Sequence, residues 1–328
     1  VCSSDLKIFI TGATGFIGRH LTRQLAAAGY GLRALVRSTS DTTELQQLGV
    51  ELVEGDVTDW ESVCRAVEGC RRVVHLANIY SMWEQDPSVY RRVNVEGTRR
   101  VAQAAAESGV DLFLHISTVA VFGRPHEVPF HERCAPGPEL FSEYARTKFE
   151  ADRVVEEFAV SHRLPLAILY PGSVLGPGDQ KSSGRYVDDI LHRRLPMAVF
   201  SDDVMTWVHV QDVADAVTRL LGRDDAAGAR YVVGCHRLTM HQINDIIHQV
   251  SGVQLPRFEM PDWLARLSAR MLTGLSAVTG RAPMWGLSTD IARTMSHSIQ
   301  ADGRRAEREL GVEYTDIHTA LEDTIRGN

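Results

Sequence analysis

Tyr144 and Lys148 stand four residues apart in the run Tyr144-Ala145-Arg146-Thr147-Lys148. That spacing puts a phenol and an ammonium on one face of a helix. A free tyrosine has a pKa of about 10 and is a poor base at neutral pH. A neighbouring cation favours the phenolate, so the pair can give a proton to a carbonyl oxygen or take one from an alcohol as a hydride moves. By itself Tyr-x-x-x-Lys is a frequent chance pattern. Here it follows an apolar run ending Ile116-Ser117-Thr118, whose hydroxyls can hydrogen-bond the same substrate oxygen.

Hydride chemistry needs a dinucleotide, and the start of the chain offers a place for one. Thr11-Gly12-Ala13-Thr14-Gly15-Phe16-Ile17-Gly18 follows an apolar run and opens a helical pattern. A backbone that turns tightly and approaches a pyrophosphate closely cannot carry side chains at the three glycines. The helix amino end then presents free N–H groups and a positive dipole end. We therefore expect Gly12, Thr14, Gly15, Phe16, Ile17 and Gly18 to cradle the phosphates. A plain glycine-rich turn is the alternative, and the strand–triplet–helix order argues against it. An acidic residue at the end of the second strand would bind ribose hydroxyls, but the sequence there is Val36-Arg37-Ser38. Arg37 suits a 2′-phosphate, with Ser38 or Thr39 as further donors, so the expected cofactor is NADP, with NAD as the alternative. Asp56 and Val57 are placed at the adenine and Ala77 where the cofactor must pass.

These residues need a scaffold, and the first half of the chain supplies the pattern of one. Apolar runs at Lys7–Thr11, Leu32–Arg37, Glu51–Glu54, Arg72–Leu76, Leu112–Ser117 and Leu166–Tyr170 alternate with helical stretches such as Phe16–Ala28, Ser88–Ser108 and Tyr144–Ser161. Several runs are apolar nearly throughout, as parallel strands covered on both faces are. Six strands predict an α/β fold, a Rossmann doubly wound parallel sheet over residues 6–170. Residues 171–328 read as a smaller, mostly helical substrate lobe interleaved with that core. Its expected helices are Asp212–Leu221, Met240–Val250, Pro261–Val278 and Ser298–Leu310.

Composition sets outer limits. The chain has 328 residues, 44% hydrophobic and 23% charged, an ordinary globular balance. A net charge of −7 argues against nucleic acid as a partner. Five scattered cysteines without a Cys-x-x-Cys pair fit reduced thiols and a cytoplasmic location. No stretch is long and apolar enough for stable membrane insertion. Val1 to Asp5 read as a ragged start. His126, Glu127 and His131 lack zinc-motif spacing and flank Pro129, so no metal is expected. His209 and Asp212 read as a strand end and a helix cap. The Trp263–Leu272 stretch reads as a lobe helix packed on the core, the alternative being a mobile lid or a segment touching a membrane surface.

The motifs T-G-A-T-G-F-I-G, H-L-A-N, N-V-E-G-T, S-T-V-A-V-F-G, Y-A-R-T-K and Y-P-G-S-V-L-G-P-G-D resemble the extended short-chain dehydrogenase/reductase superfamily, the NAD-dependent epimerase/dehydratase family. Within it the chain is similar to the dihydroflavonol-reductase-like and hydroxysteroid-dehydrogenase-like branch, and to the hopanoid-associated sugar epimerase group. The resemblance implies Tyr144 as acid/base with Lys148 as its partner and a contact to the cofactor ribose. It implies Thr118 as the catalytic hydroxyl with Ser117 second, Asn94 near the nicotinamide, and Pro171 and Ser173 at the cofactor. Asn94 reads equally well as a cap or a buried hydrogen-bonding residue. Nucleotide-sugar epimerases of this kind carry an arginine where this chain has Met205, and many an asparagine where it has Ser173. Methionine cannot hold a diphosphate. With Asn78, Ile79, Tyr80, Trp83 and Trp207 as further pocket candidates, the expected substrate is a small, fairly apolar carbonyl compound or alcohol. An epimerase or dehydratase that oxidises its substrate transiently is the second reading. A cofactor-sensing regulator is the third, which the presence of both Tyr144 and Lys148 disfavours. A homodimer is compatible with the sequence.

Overall fold

The computed structural model describes residues 7–327, so the expectation for Val1 to Asp5 lies outside the described residues. Ten strands form: β1 (Lys7–Thr11), β2 (Gly31–Val36), β3 (Glu51–Glu54), β4 (Arg72–His75), β5 (Leu112–Ile116), β6 (Leu166–Pro171), β7 (Ser173–Leu175), β8 (Val204–His209), β9 (Arg230–Val233) and β10 (His236–Thr239). Seven of them make a parallel sheet in the order β3-β2-β1-β4-β5-β6-β9. The chain reverses its direction of travel across the sheet between β1 and β4, which opens a crevice at the carboxyl ends of those strands.

Alternation along β1 explains the two faces. Ile8 and Ile10 point into one buried cluster with Leu21 and Leu25 of the helix Phe16–Ala27 and with Val213, Val217 and Leu220 of the helix Val210–Leu221. Phe9 points the other way, among Val63, Val101, Phe113 and Val155 from the helices and strands of the opposite layer. Phe9 is fully buried, so Phe9→Ala should cost about 3–5 kcal/mol.

The first half matches expectation closely, whereas the second departs from it in three ways. The main sheet has a seventh strand, β9, so residues beyond 171 return to the core. The lobe is not only helical, because β7, β8 and β10 form a three-stranded sheet in the order β10-β8-β7. The expected helix Ser298–Leu310 is helical only over Arg304–Leu310. Ile299 and Ala301 are extended instead, bridging Met205 and Phe130, because the Ile299 N–H donates to the Val204 carbonyl at 2.8 Å and the Ala301 N–H to Thr206 Oγ1 at 2.8 Å. The expected helix over 88–108 carries a π-helical turn, Arg91–Gly97, between α-helical Ser88–Tyr90 and Thr98–Glu107. Such turns are often found at functional sites.

Candidate active site

The helix Glu143–Ser161 begins where Ser142 caps it, its side chain accepting from the Ala145 N–H at 3.1 Å. Glu143 in the first turn suits the positive helix end. This start sets Tyr144 in the first turn and Lys148 one turn on, both buried beside the carboxyl end of β5. Thr118, just past β5, stands close enough to the Tyr144 hydroxyl to favour its phenolate. Lys148 Nζ donates to the Ile116 carbonyl at 2.7 Å. Ser117 turns away and donates to Asp152 Oδ2 at 2.8 Å, so Thr118 is the hydroxyl offered to the site.

Sequence spacing sets Lys148 to favour the phenolate, helped by an oxidised nicotinamide, whereas burial of the phenol works the other way. Burial pushes the Tyr144 phenol well up, the Tyr80 ring adds to this, and only Thr118 opposes it. Tyr80 packs edge-on against Tyr144 with ring centroids 5.2 Å apart. Tyr144 is therefore held as a neutral acid. Burial brings the Lys148 ammonium down to about 8, with Asp152 working against that fall. Asp152, itself buried, is pushed up to about 7 by the same desolvation and held down by Lys148 and the Ser117 hydroxyl.

Asp152 escaped the sequence reading, although it lies at the next turn after Lys148 and the same helical period would have found it. Two buried histidines were also missed. His115 Nε2 lies 3.1 Å from Asp152 Oδ1, and His75 stacks on His115 at 5.6 Å. His75 bonds Thr11 and Thr98, each at 2.8 Å. Desolvation keeps both rings neutral. Asn94 is almost fully buried in the π-helical turn. It accepts from the Ile79 N–H at 2.7 Å and donates to Thr147 Oγ1 at 3.1 Å. Asn94 thus ties the loop after β4 to the helix bearing Tyr144.

The loop after β1 has the shape its glycines implied. Gly12 has φ +75°, and a Cβ there would meet the Ala77 nitrogen at 2.8 Å. A Cβ on Gly18 would lie 2.1 Å from the Gly12 oxygen. Gly15 is the exposed N-cap of the helix Phe16–Ala27, which has no side-chain cap and no acidic residue in its first turn. The Gly15 N–H donates to the Gly12 carbonyl at 3.0 Å, while the first helical amides, of Phe16, Ile17 and Gly18, have no partner among the described residues and suit an anion. Thr14, next to Gly15, is partly buried. This is a cradle a side chain would fill, and it fits a pyrophosphate. Ala77 closes it from the end of β4, its N–H donating to Thr11 Oγ1 at 3.2 Å. Arg37, Ser38 and Thr39 are exposed just past β2, and Arg37 has no ion pair among the described residues. Asp56 accepts from the Thr58 N–H and hydroxyl, and Val57 is buried against Gly97. Pro171 ends β6 and Ser173 starts β7, at the same sheet edge.

The pocket candidates fall into two groups. Asn78, Tyr80 and Trp83 are partly buried in the loop after β4, and Asn78 Oδ1 is buried without a partner among the described residues. Met205 and Trp207 lie on β8, where Trp207 packs into the lobe core with Leu175, Ile190 and Ile243. His209 ends β8, while Asp212 accepts from the Thr315 N–H at 3.0 Å, anchoring the C-terminal segment. Glu127, His131 and Cys134, not grouped from sequence, bring their ligand atoms within 4.8 Å of one another. No helix among the described residues is long and apolar enough to cross a membrane.

A family model for the NAD dependent epimerase/dehydratase family matches residues 8–234. Sterol demethylase protein B of Methylococcus capsulatus is 32% identical over 325 residues, 98% of this chain and 97% of its own. Cinnamoyl-CoA reductase 1 of Oryza sativa subsp. japonica is 26% identical over 334 residues, 97% of this chain and 89% of its own. The crystal structure of gox2253 matches with a TM-score of 0.84 and 30% identity, over 99% of this chain and 98% of that one.

Proposed function

The chain belongs to the NAD dependent epimerase/dehydratase family, and from that premise we propose that it is an NADP-dependent reductase of an apolar ketone or aldehyde. The observation that carries the proposal is the buried Tyr144 phenol, packed edge-on against the Tyr80 ring one helical turn before Lys148. A reduction needs an acid at the carbonyl oxygen, and this environment keeps the proton on Tyr144 until the oxygen develops charge.

Gly12, Gly15, Gly18 and Ala77 would hold the dinucleotide's phosphates, and Arg37 with Ser38 and Thr39 its 2′-phosphate. When bound, the dinucleotide supplies the hydride. Thr118 then shares the substrate oxygen with Tyr144 and orients it. Tyr144 gives its proton to that oxygen. Lys148, held on the Ile116 carbonyl, keeps a positive charge behind the phenolate that remains. Tyr80 and Trp83 exclude water and offer aromatic surface to the substrate, with Met205 as a further wall. Met205 has no charge for a diphosphate, which supports a carbonyl compound over a nucleotide sugar. The sterol in the name of the Methylococcus relative supports the same choice.

The test is a panel of aromatic and alicyclic ketones and aldehydes, followed by loss of NADPH absorbance. Stoichiometric NADPH consumption with product alcohol is the expected result. Conversion of a UDP-sugar to its epimer with no net change in absorbance, and no reduction of any carbonyl, would replace the proposal with the epimerase reading.

A further inference from the structure

The helix Asp262–Thr279 buries one face and leaves a second apolar face in solvent. Ala265, Ala269 and Leu272 pack against Phe200, Leu287 and Ala292. On the other side Trp263, Leu267, Met271, Leu275 and Val278 are exposed, Met271 to 69% and Val278 to 87%. At about 100° per residue these five fall within one arc of about 120°, centred well away from the buried alanines. Arg266 and Arg270 lie along one edge of that arc. The flanking chain adds more apolar surface, with Phe258 before the helix and Met284 and Trp285 after it, all exposed. Trp285 is held at φ 54°, a conformation bulky residues rarely adopt, with its ring in solvent.

The charge of this region is opposite to that of the molecule. Residues 251–289 hold four arginines against Glu259 and Asp262, while the whole chain carries −7. Asp262 is taken by Arg266 at 3.6 Å, and among the described residues Arg257, Arg270 and Arg281 make no ion pair. An apolar arc with a terminal tryptophan, Arg266 and Arg270 along its border and Arg257 and Arg281 at its two ends matches a helix lying in the interface of an anionic bilayer. A second copy fits less well in an antiparallel two-fold pairing, which would set the arginine edges of both copies side by side.

We propose that this face docks on an anionic lipid surface, with the helix Asp262–Thr279 lying in the plane of the headgroups. The segment that follows the helix is joined to the candidate site. Ser288 Oγ donates to the Met82 carbonyl at 2.7 Å, and Asp290 accepts from the Glu143 N–H at 2.8 Å, at the start of the helix bearing Tyr144. Docking therefore places the substrate side of the site next to the lipid, where an apolar carbonyl compound would partition. That last step rests on the reductase reading, whereas the docking does not.

The experiment is flotation of the whole protein with vesicles of phosphatidylcholine and phosphatidylglycerol, and with phosphatidylcholine alone. The wild type should float with the anionic vesicles, much less with the neutral ones, and lose binding as salt rises. Arg266→Glu with Arg270→Glu should weaken binding by about tenfold or more. Trp263→Ser with Met271→Ser should abolish it, and both variants should retain NADPH binding. Wild-type protein that fails to float with anionic vesicles while binding NADPH would overturn the proposal and leave the reductase reading in place. Sedimentation showing a dimer that Trp263→Ser with Met271→Ser splits into monomers would overturn it in favour of a second copy. Flotation by a protein that reduces no carbonyl would support docking and count against the reductase reading alone.

Discussion

Gly15 separates the cofactor's demand from the fold's. It has φ −78° and ψ 175°, ordinary extended backbone that alanine adopts without strain. A Cβ there would meet only the Gly12 oxygen, at 3.2 Å. Two stability terms oppose each other in Gly15→Ala. Alanine is a poorer N-cap, costing about 0.5–1 kcal/mol, and it restricts the unfolded chain, recovering about 0.4–1 kcal/mol. The net effect is close to zero, a Tm shift within about 2 °C. A methyl group at this exposed point nevertheless stands where a pyrophosphate must approach the helix end. The Kd for NADPH should rise by about tenfold or more, equivalent to about 1.4 kcal/mol. Gly12→Ala gives the contrast, since its φ of +75° and the 2.8 Å approach to the Ala77 nitrogen oppose any side chain. It should cost about 1–3 kcal/mol in stability as well as affinity. Fluorescence titration of NADPH and thermal melts of the two variants provide the assay. A Gly15→Ala protein with wild-type NADPH affinity would refute the idea that this loop holds the phosphates.

Arg37→Ala should weaken NADPH binding by about tenfold and leave NADH binding nearly unchanged, because a charge-assisted contact is lost only with the 2′-phosphate; equal NADPH and NADH affinities in the wild type, by titration, would show that Arg37 reads nothing. Tyr144→Phe should lower kcat by about a hundredfold or more with NADPH affinity retained, and Thr118→Ala should lower it while Thr118→Ser restores most of it; near-normal turnover by a folded Tyr144→Phe variant would sink the acid assignment. Lys148 is held down to about 8 by burial, so its charge is present below that pH and lost as pH rises through it, and kcat/KM should fall on that alkaline limb. Asp152→Asn removes the carboxylate that keeps Lys148 charged and should move the limb down by about one pH unit or more, and an unmoved limb would show that the two groups do not interact.

The parts that were legible in sequence are local. A strand, a glycine triplet and a helix occur within one short run, and Tyr144 and Lys148 within a single helical turn. Parts that depend on distant pairing were not legible. His75 and His115 stack because β4 and β5 pair in a register that sets them opposite each other, and register is not visible in either strand alone. The strand β10, His-Arg-Leu-Thr, has no apolar alternation and is extended because it pairs with β8. The stretch from Ser298 reads as helix by periodicity, yet the Val204 carbonyl and the Thr206 hydroxyl draw it into extended pairing. Sequence spacing cannot show that the Tyr144 phenol is buried or that Lys148 Nζ is engaged by the Ile116 carbonyl.

The acid and the substrate pocket are built from different parts of the chain, and this bears on what can vary. Tyr144, Thr118, Lys148, Ser117 and Asp152 all come from β5, the residues just past it and one helix. Lys148 on the Ile116 carbonyl and Asp152 on the Ser117 hydroxyl clamp that strand end to that helix at two points. Those two contacts set the strand end that leads into Thr118 against the helix bearing Tyr144. Burying a lysine and an aspartate is costly, and an apolar pair would pack there as well or better. What the charged pair adds is a rigid strand–helix junction. The candidate pocket residues, by contrast, come from the loop after β4 and from β8 in the lobe. Changes at Trp83 or Met205 leave the clamp untouched, so substrate preference can shift while the proton donor stays in place.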